Sequence, residues 1–306
     1  MYRKSYLLIA LLLVSVLSTR TLADASEKLE VVASFSILAD FIEEIGGDRV
    51  SVTSLVGADS DAHVYEPTPR DVQKVTAAGV IVVNGLGLEG WLNRLLEASG
   101  TKAPVTEASA AVAAIESTEH EEESDDEHDA QDPHAFQSIS NAMIYVKNIT
   151  EALCKAAPGD CDVFKTNSAG YAAKLRALDE EVRRAVEKIP ADRRRIITSH
   201  DAFGYFADEY GISFLAPEGV STDAEASAAD VAKLIQQIRE QRASALFVEN
   251  ISDKRLIEQI ARETGLKVSG VLFSDALSTE PGPAATYIDL MRHNVRTILA
   301  AINEGS

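Results

Sequence analysis

Positive charge is scarce in this chain. Lys and Arg together number 29 against 48 Asp and Glu, a formal net charge of −19. Nucleic acid and anionic membrane surfaces repel so acidic a protein, so neither is expected as a partner, whereas a cation would be attracted. Long apolar runs are scarce too. The one present, Leu7–Leu17, is shorter than the roughly 20 residues that span a bilayer. Arg3 and Lys4 precede it, and the small residues Thr21, Ala23 and Ala25 follow, the pattern of a secretory signal peptide over 1–23. Cleavage after Ala23 would remove Arg3, Lys4 and Arg20, taking the charge from −19 to −22. No cysteine lies near that point, so no lipid-anchor site is expected. The mature chain should be exported and soluble, not membrane-embedded.

Cysteine is limited to Cys154 and Cys161. In an oxidising compartment a local disulfide is the expected state, with a pair of buried thiols as the alternative. The intervening KAAPGD supplies a turn, and C-x₆-C is not the C-x-x-C of redox chemistry. There is no Gly-rich phosphate loop, no G-x-S-x-G elbow and no H-E-x-x-H. Ser199-His200-Asp201 is contiguous, whereas a catalytic triad is a relay in space. A flexible Gly/Ser linker is missing as well.

At 306 residues the chain can hold two ordinary domains. Strand-like and helix-like runs alternate throughout. Glu30–Ser36, Arg49–Val56 and Val80–Gly85 are β-rich and each precedes a helical pattern. The rhythm returns with Arg195–Ser199, ISFLA, Ala245–Asn250 and VSGVLFSDAL. Continuous apolar strands of this kind predict mostly parallel sheets covered by helices. The expected fold is α/β, two lobes over 24–161 and 191–306. Between them, Tyr171, Leu175, Leu178, Val182, Ala185 and Ile189 mark one face of a long amphipathic helix over 162–190, stopped by Pro190. A rigid helical connector predicts limited hinge closure.

Four polar residues occupy loops after strands or beside them: His63 in GADSDAHVYEPTP, His134 in DPHAF, His200 in ITSHDAFGYF and Asp275 in VLFSDALS. Ligand sites of open α/β sheets form at strand carboxyl ends, so two residues from each lobe could converge on a cleft. Three imidazoles and one carboxylate suit tetrahedral Zn²⁺ better than the all-oxygen shells of Ca²⁺ or Mg²⁺. Spacing alone leaves open that these histidines are helix caps or satisfied polar groups.

AHVYEPTP, DPHAF, SHDAFGYFADEYG, FVENIS and SDALS resemble the successive signatures of the ZnuA/TroA-like metal-binding proteins of zinc/manganese ABC importers. The resemblance spans nearly all of the mature chain. It implies two α/β lobes on one backbone helix and His63, His134, His200 and Asp275 as metal ligands. It also implies a periplasmic monomer that delivers metal to an ABC permease, with a periplasmic metallochaperone as a further candidate partner. Manganese-type members tend to carry a carboxylate where this chain has His200, so the resemblance points to Zn²⁺ over Mn²⁺. Nitrogen donors favour zinc for the same reason.

The segment 116–133 is crowded with carboxylates and reads as a solvated loop. Zinc-type relatives often carry an acidic, His-containing loop here, making His120 and His128 candidates for weak accessory metal capture. His293 reads as a surface or helix-packing residue, Tyr65 and Glu66 as candidate supports for the site, with Glu66 equally a loop anchor, and Asn148-Ile149-Thr150 as a chance glycosylation match inside a helix. A zinc hydrolase with an open three-histidine site, taking Glu66 or Glu249 as base, is the alternative from another class. Metal binding is expected to weaken as pH falls through about 6.5, the ordinary histidine value.

Overall fold

A computed structural model describes residues 28–116, 131–241 and 243–304. The expected signal peptide, His120 and His128 lie outside these residues.

The first lobe is built from β1 (Leu29–Phe35), α1 (Ser36–Gly46), β2 (Val50–Val56), α2 (Pro69–Ala77), β3 (Val80–Val83), α3 (Leu92–Ser99) and β4 (Val105–Glu107), followed by α4 (Ile139–Ala156). Then comes α5 (Cys161–Val186). The second lobe holds β5 (Arg195–Ile197), α6 (Gly204–Tyr210), β6 (Ser213–Leu215), α7 (Ala228–Gln241), β7 (Ala245–Glu249), α8 (Lys254–Thr264), β8 (Val268–Leu272) and α9 (Tyr287–Glu304). The sheets are ordered β2-β1-β3-β4 and β6-β5-β7-β8, every pairing parallel. Both lobes thus share one strand order, which reverses direction at the first strand of each sheet. Chain crevices open at the carboxyl ends there. The fold class is the expected one.

Parallel pairing explains the apolar strands. All four residues of β3 are buried, since helices cover both faces of the sheet. The connecting helix is α5, about 39 Å long at 1.5 Å per residue. Its buried stripe runs through Phe164, Tyr171, Leu175, Leu178, Val182 and Val186. It ends four residues before Pro190, earlier than the sequence pattern suggests. Lys188 N and Ile189 N bond to Ala185 O and Val186 O, a tighter i to i+3 winding. Proline disfavours the α conformation in the residue before it, and its own missing N–H cannot continue the ladder.

The lobes are welded rather than tethered. One continuous apolar core joins residues of both, and α9 packs against α1 and α5. At the junction Phe41 meets Tyr287 at 4.8 Å between ring centroids. Tyr287 OH donates to Phe136 O at 2.7 Å. Cys154 and Cys161 form a disulfide that clips the end of α4 to the start of α5. Asn148 lies in α4 and spends its amide on Ala108 O and Ala110 O, both at 2.8 Å. Among the described residues no helix is long and apolar enough to cross a membrane.

Candidate metal centre

His63 sits on the loop after β2, His134 on the segment that returns to α4, His200 after β5 and Asp275 after β8. The structure brings these four side chains together between the lobes. His134, His200 and Asp275 are fully buried and His63 is 7% exposed. Nε2 of His63 lies 3.3 Å from Nε2 of His134 and 3.2 Å from Asp275 Oδ2. Asp275 Oδ2 is also 3.1 Å from His200 Nε2, and Oδ1 is 3.5 Å from His134 Nε2.

Each loop is pinned for a reason visible in its chemistry. Asp132 Oδ1 accepts from His134 N at 2.9 Å and faces its Nδ1 at 2.7 Å. In the other lobe Glu249, at the end of β7, repeats the device. Its Oε1 accepts from Ser199 N and His200 N, while Oε2 is 2.6 Å from His200 Nδ1. A carboxylate on Nδ1 fixes the ring's orientation and leaves Nε2 facing the centre. Among the described residues no carboxylate contacts Nδ1 of His63; its backbone N donates to Asp61 Oδ1 at 2.8 Å. The Asp275 loop is held by Asn294 of α9, bonded to both Phe273 N and Phe273 O, and by Gln137 Nε2 on Ser274 O at 2.6 Å.

The donor set fits a small divalent ion. Ligands about 2.0–2.1 Å from a tetrahedral ion are separated from one another by about 3.3–3.4 Å. Four of the contacts, at 3.1 to 3.5 Å, lie close to that edge, with Asp275 meeting His63 and His200 through Oδ2 and His134 through Oδ1, and one donor atom from each residue lies within 4.8 Å of the other three. Asp275 Oδ1 is buried and accepts no hydrogen bond, with His134 Nε2 3.5 Å away. Charge balance points the same way. Burial alone would depress the His134 ring, yet Asp275 and Asp132 outweigh it and raise it to about 9. His200 is likewise raised against the effect of burial, by Glu249 and Asp275. The centre attracts positive charge.

Other residues fall outside the cluster. Tyr65 donates to Asp71 Oδ2 at 2.8 Å and packs on Trp91, whose Nε1 donates to Ala62 O at 2.8 Å, so both brace the His63 loop from behind. Glu66 is exposed and lines a surface pocket with Pro67 and Arg94. Glu249, read from sequence as a candidate base, is committed to His200 and its backbone. Ser199 Oγ accepts from Glu249 N at 3.3 Å and makes no triad with His200. His293 bonds Val271 O and packs edge-on to Phe273 at 5.1 Å, a helix-packing role. The acidic segment is described only at its base, where Glu116 and Gln131 pair antiparallel. Asp132 escaped the sequence reading because it ends a run of similar carboxylates. The spacing Asp-x-His, shared by Asp61–His63 and Asp132–His134, was the available signal.

Twin parallel lobes on a long helix, with a buried nitrogen-rich donor cluster between them, define a metal-binding substrate-binding protein of an ABC importer. Known proteins agree. Residues 31–301 match the family model ZnuA, zinc-uptake complex component A, periplasmic. The chain belongs to this family. It is 33% identical to the manganese-binding lipoprotein MntA of Halalkalibacterium halodurans, covering 92% of this chain and 91% of that protein. Identity to the iron-binding protein YfeA of Yersinia pestis is 34%, covering 93% and 91%. The solved periplasmic zinc-binding protein TroA of Treponema pallidum superposes with a TM-score of 0.83 at 31% identity, covering 90% of this chain and 99% of that one.

Proposed function

We propose that this protein captures Zn²⁺ in the periplasm and delivers it, as a monomer, to an ABC permease, and that it is not an enzyme. His63, His134, His200 and Asp275 are the ligands, two from the lobe 24–161 and two from the lobe 191–306, with the helix over 162–190 as the spine. The observation that carries this reading is the buried three-imidazole, one-carboxylate cluster, whose donor atoms all lie within 4.8 Å of one another. Nitrogen donors favour zinc over manganese, and zinc stands above manganese in intrinsic affinity as well. A hydrolase would need an open position and a nearby base, and Glu249 is engaged on His200 Nδ1.

Manganese or iron is the second reading, favoured by one detail. The free Oδ1 of Asp275 could join Oδ2 as a second oxygen ligand, raising the coordination number for a harder ion. Titration of the demetallated protein with Zn²⁺ and Mn²⁺ separates them. Zinc should bind one ion per chain and the more tightly; tighter Mn²⁺ would overturn the assignment.

A further inference from the structure

We infer that Asp59 and Asp61 form a latch across the lobes that governs metal release, and that His63 is the ligand that leaves first. The inference rests on the assignment of His63 as a ligand.

With a shared core and α9 packed on α1 and α5, the lobes cannot part without exposing apolar surface. An ion can therefore escape most cheaply by movement of one loop. The loop carrying His63 differs from the others. Carboxylates grip Nδ1 of His134 and His200, and both rings are fully buried, whereas His63 is the ligand that reaches solvent. What restrains the loop from the far side is a set of hydrogen bonds to three loops of the second lobe. Asp59 N donates to Leu277 O at 2.8 Å. Asp59 Oδ2 accepts from Thr279 N at 3.0 Å and from Thr279 Oγ1 at 3.1 Å. Its Oδ1 accepts from Asn250 Nδ2 at 3.2 Å. Asp61 Oδ2 accepts from Thr222 Oγ1 at 2.6 Å, while its Oδ1 holds His63 N.

Three features mark this as a device for holding the loop rather than general surface polarity. Asp59 takes φ of 53°, a left-handed conformation uncommon outside glycine, while making its bonds to Leu277, Thr279 and Asn250. Asn250 and Thr279 flank the elements that carry Glu249 and Asp275, so the latch reports on both second-lobe pins. Asp59 and Thr279 are exposed and Asp61, Thr222 and Asn250 half-buried, so water or a docking permease can reach the rim of this set, whose hydrogen bonds are individually weak. Several acting together set a barrier to peeling His63 away.

The test uses the purified full chain and two substitutions. Asp59→Gly removes the carboxylate while relieving the left-handed backbone, since glycine accepts positive φ without cost. Thr222→Val removes the donor to Asp61 and leaves Asp61 on His63 N. Stopped-flow release of Zn²⁺ into excess chelator gives the dissociation rate. Each variant should release zinc about tenfold faster, and the pair together faster than either. The Co²⁺ absorption spectrum, the stoichiometry and the melting temperature of the metal-free protein should match those of the unaltered chain. Release at the unaltered rate would overturn the latch, as would faster release with a changed Co²⁺ spectrum or a lowered melting temperature. Failure of the unaltered chain to bind one Co²⁺ would instead remove the ligand assignment itself.

Discussion

Zinc affinity should keep rising with pH well beyond the range where an ordinary histidine titrates. In the metal-free centre burial disfavours a charged imidazole, yet the carboxylates of Asp275 and Asp132 raise His134 to about 9. His200 is raised well above its ordinary value against burial, by Glu249 and Asp275. Burial pushes Asp275 up, but His134 and His200 hold it well below the usual carboxylate range. An incoming ion must evict those protons. With a ring value of about 9, competition at His134 alone weakens apparent affinity about 100-fold at pH 7 and about tenfold at pH 8. A second proton on His200 steepens the dependence, so the logarithm of affinity should climb with a slope between one and two. The window lies above that expected for an unperturbed ring. Stability of the metal-free fold runs the other way. The raised His134 value contributes stability fully present below about 6.5 and lost as pH rises through about 9. Chelator competition from pH 6 to 9.5, with dye-monitored proton release in weak buffer, measures the effect on binding, and urea denaturation of the metal-free protein over the same range measures the effect on stability. Affinity that is flat above pH 7, with no proton released on binding at pH 7.5, refutes the reasoning.

Two further outcomes follow from residues behind the site. Glu249→Gln leaves the four proposed ligands in place but loses the carboxylate on His200 Nδ1, and should weaken zinc binding about 10–100-fold, read by chelator competition; unchanged affinity would leave Glu249 without the orienting role. Asp40 is buried where α1, α5 and α9 meet, accepting from Tyr287 N and Tyr171 OH, and burial raises it to about 7. Its folded value exceeds the unfolded one, so its contribution is lost as pH rises through about 7. Asp40→Asn should stabilise the metal-free protein more at pH 8 than at pH 5, by roughly 2–3 kcal/mol in urea denaturation. Equal effects at both pH values would count against it.

Much of the architecture was legible because parallel sheets impose it on the residues. Val80–Val83 is apolar on both faces, and the stripe from Tyr171 to Val182 keeps helical period over several turns. The end of α5 was less so. Ile189 continues the apolar spacing, and only backbone geometry shows that the winding has already tightened. At the centre, His63, His134, His200 and Asp275 stood out as polar residues in strand-end loops, and local pattern could place each on its loop. Their partners were harder to see. Glu249 meets His200 from 49 residues away, and no local pattern encodes that pairing. Gln137 and Asn294 secure the Asp275 loop from α4's approach and from α9, contacts that exist only once both lobes are packed.

The buried charges explain how such a centre can stay folded with and without its ion. Asp275, Asp132 and Glu249 place three carboxylates around three imidazoles in a region almost closed to water. Burying that much negative charge unpaired would cost several kcal/mol per ion. A divalent cation offsets most of it, and so do protons on His134 and His200, the two rings whose Nδ1 atoms face carboxylates. The proton and the metal are alternative occupants of one electrostatic trap. With both rings raised by their carboxylates, binding at neutral pH is an exchange of protons for the ion rather than a simple addition. On the proposed ligand assignment it also gives the four residues separate tasks. His134 and His200 hold the charge balance when the ion departs, while His63, with no carboxylate on Nδ1, can swing out without leaving a buried charge behind.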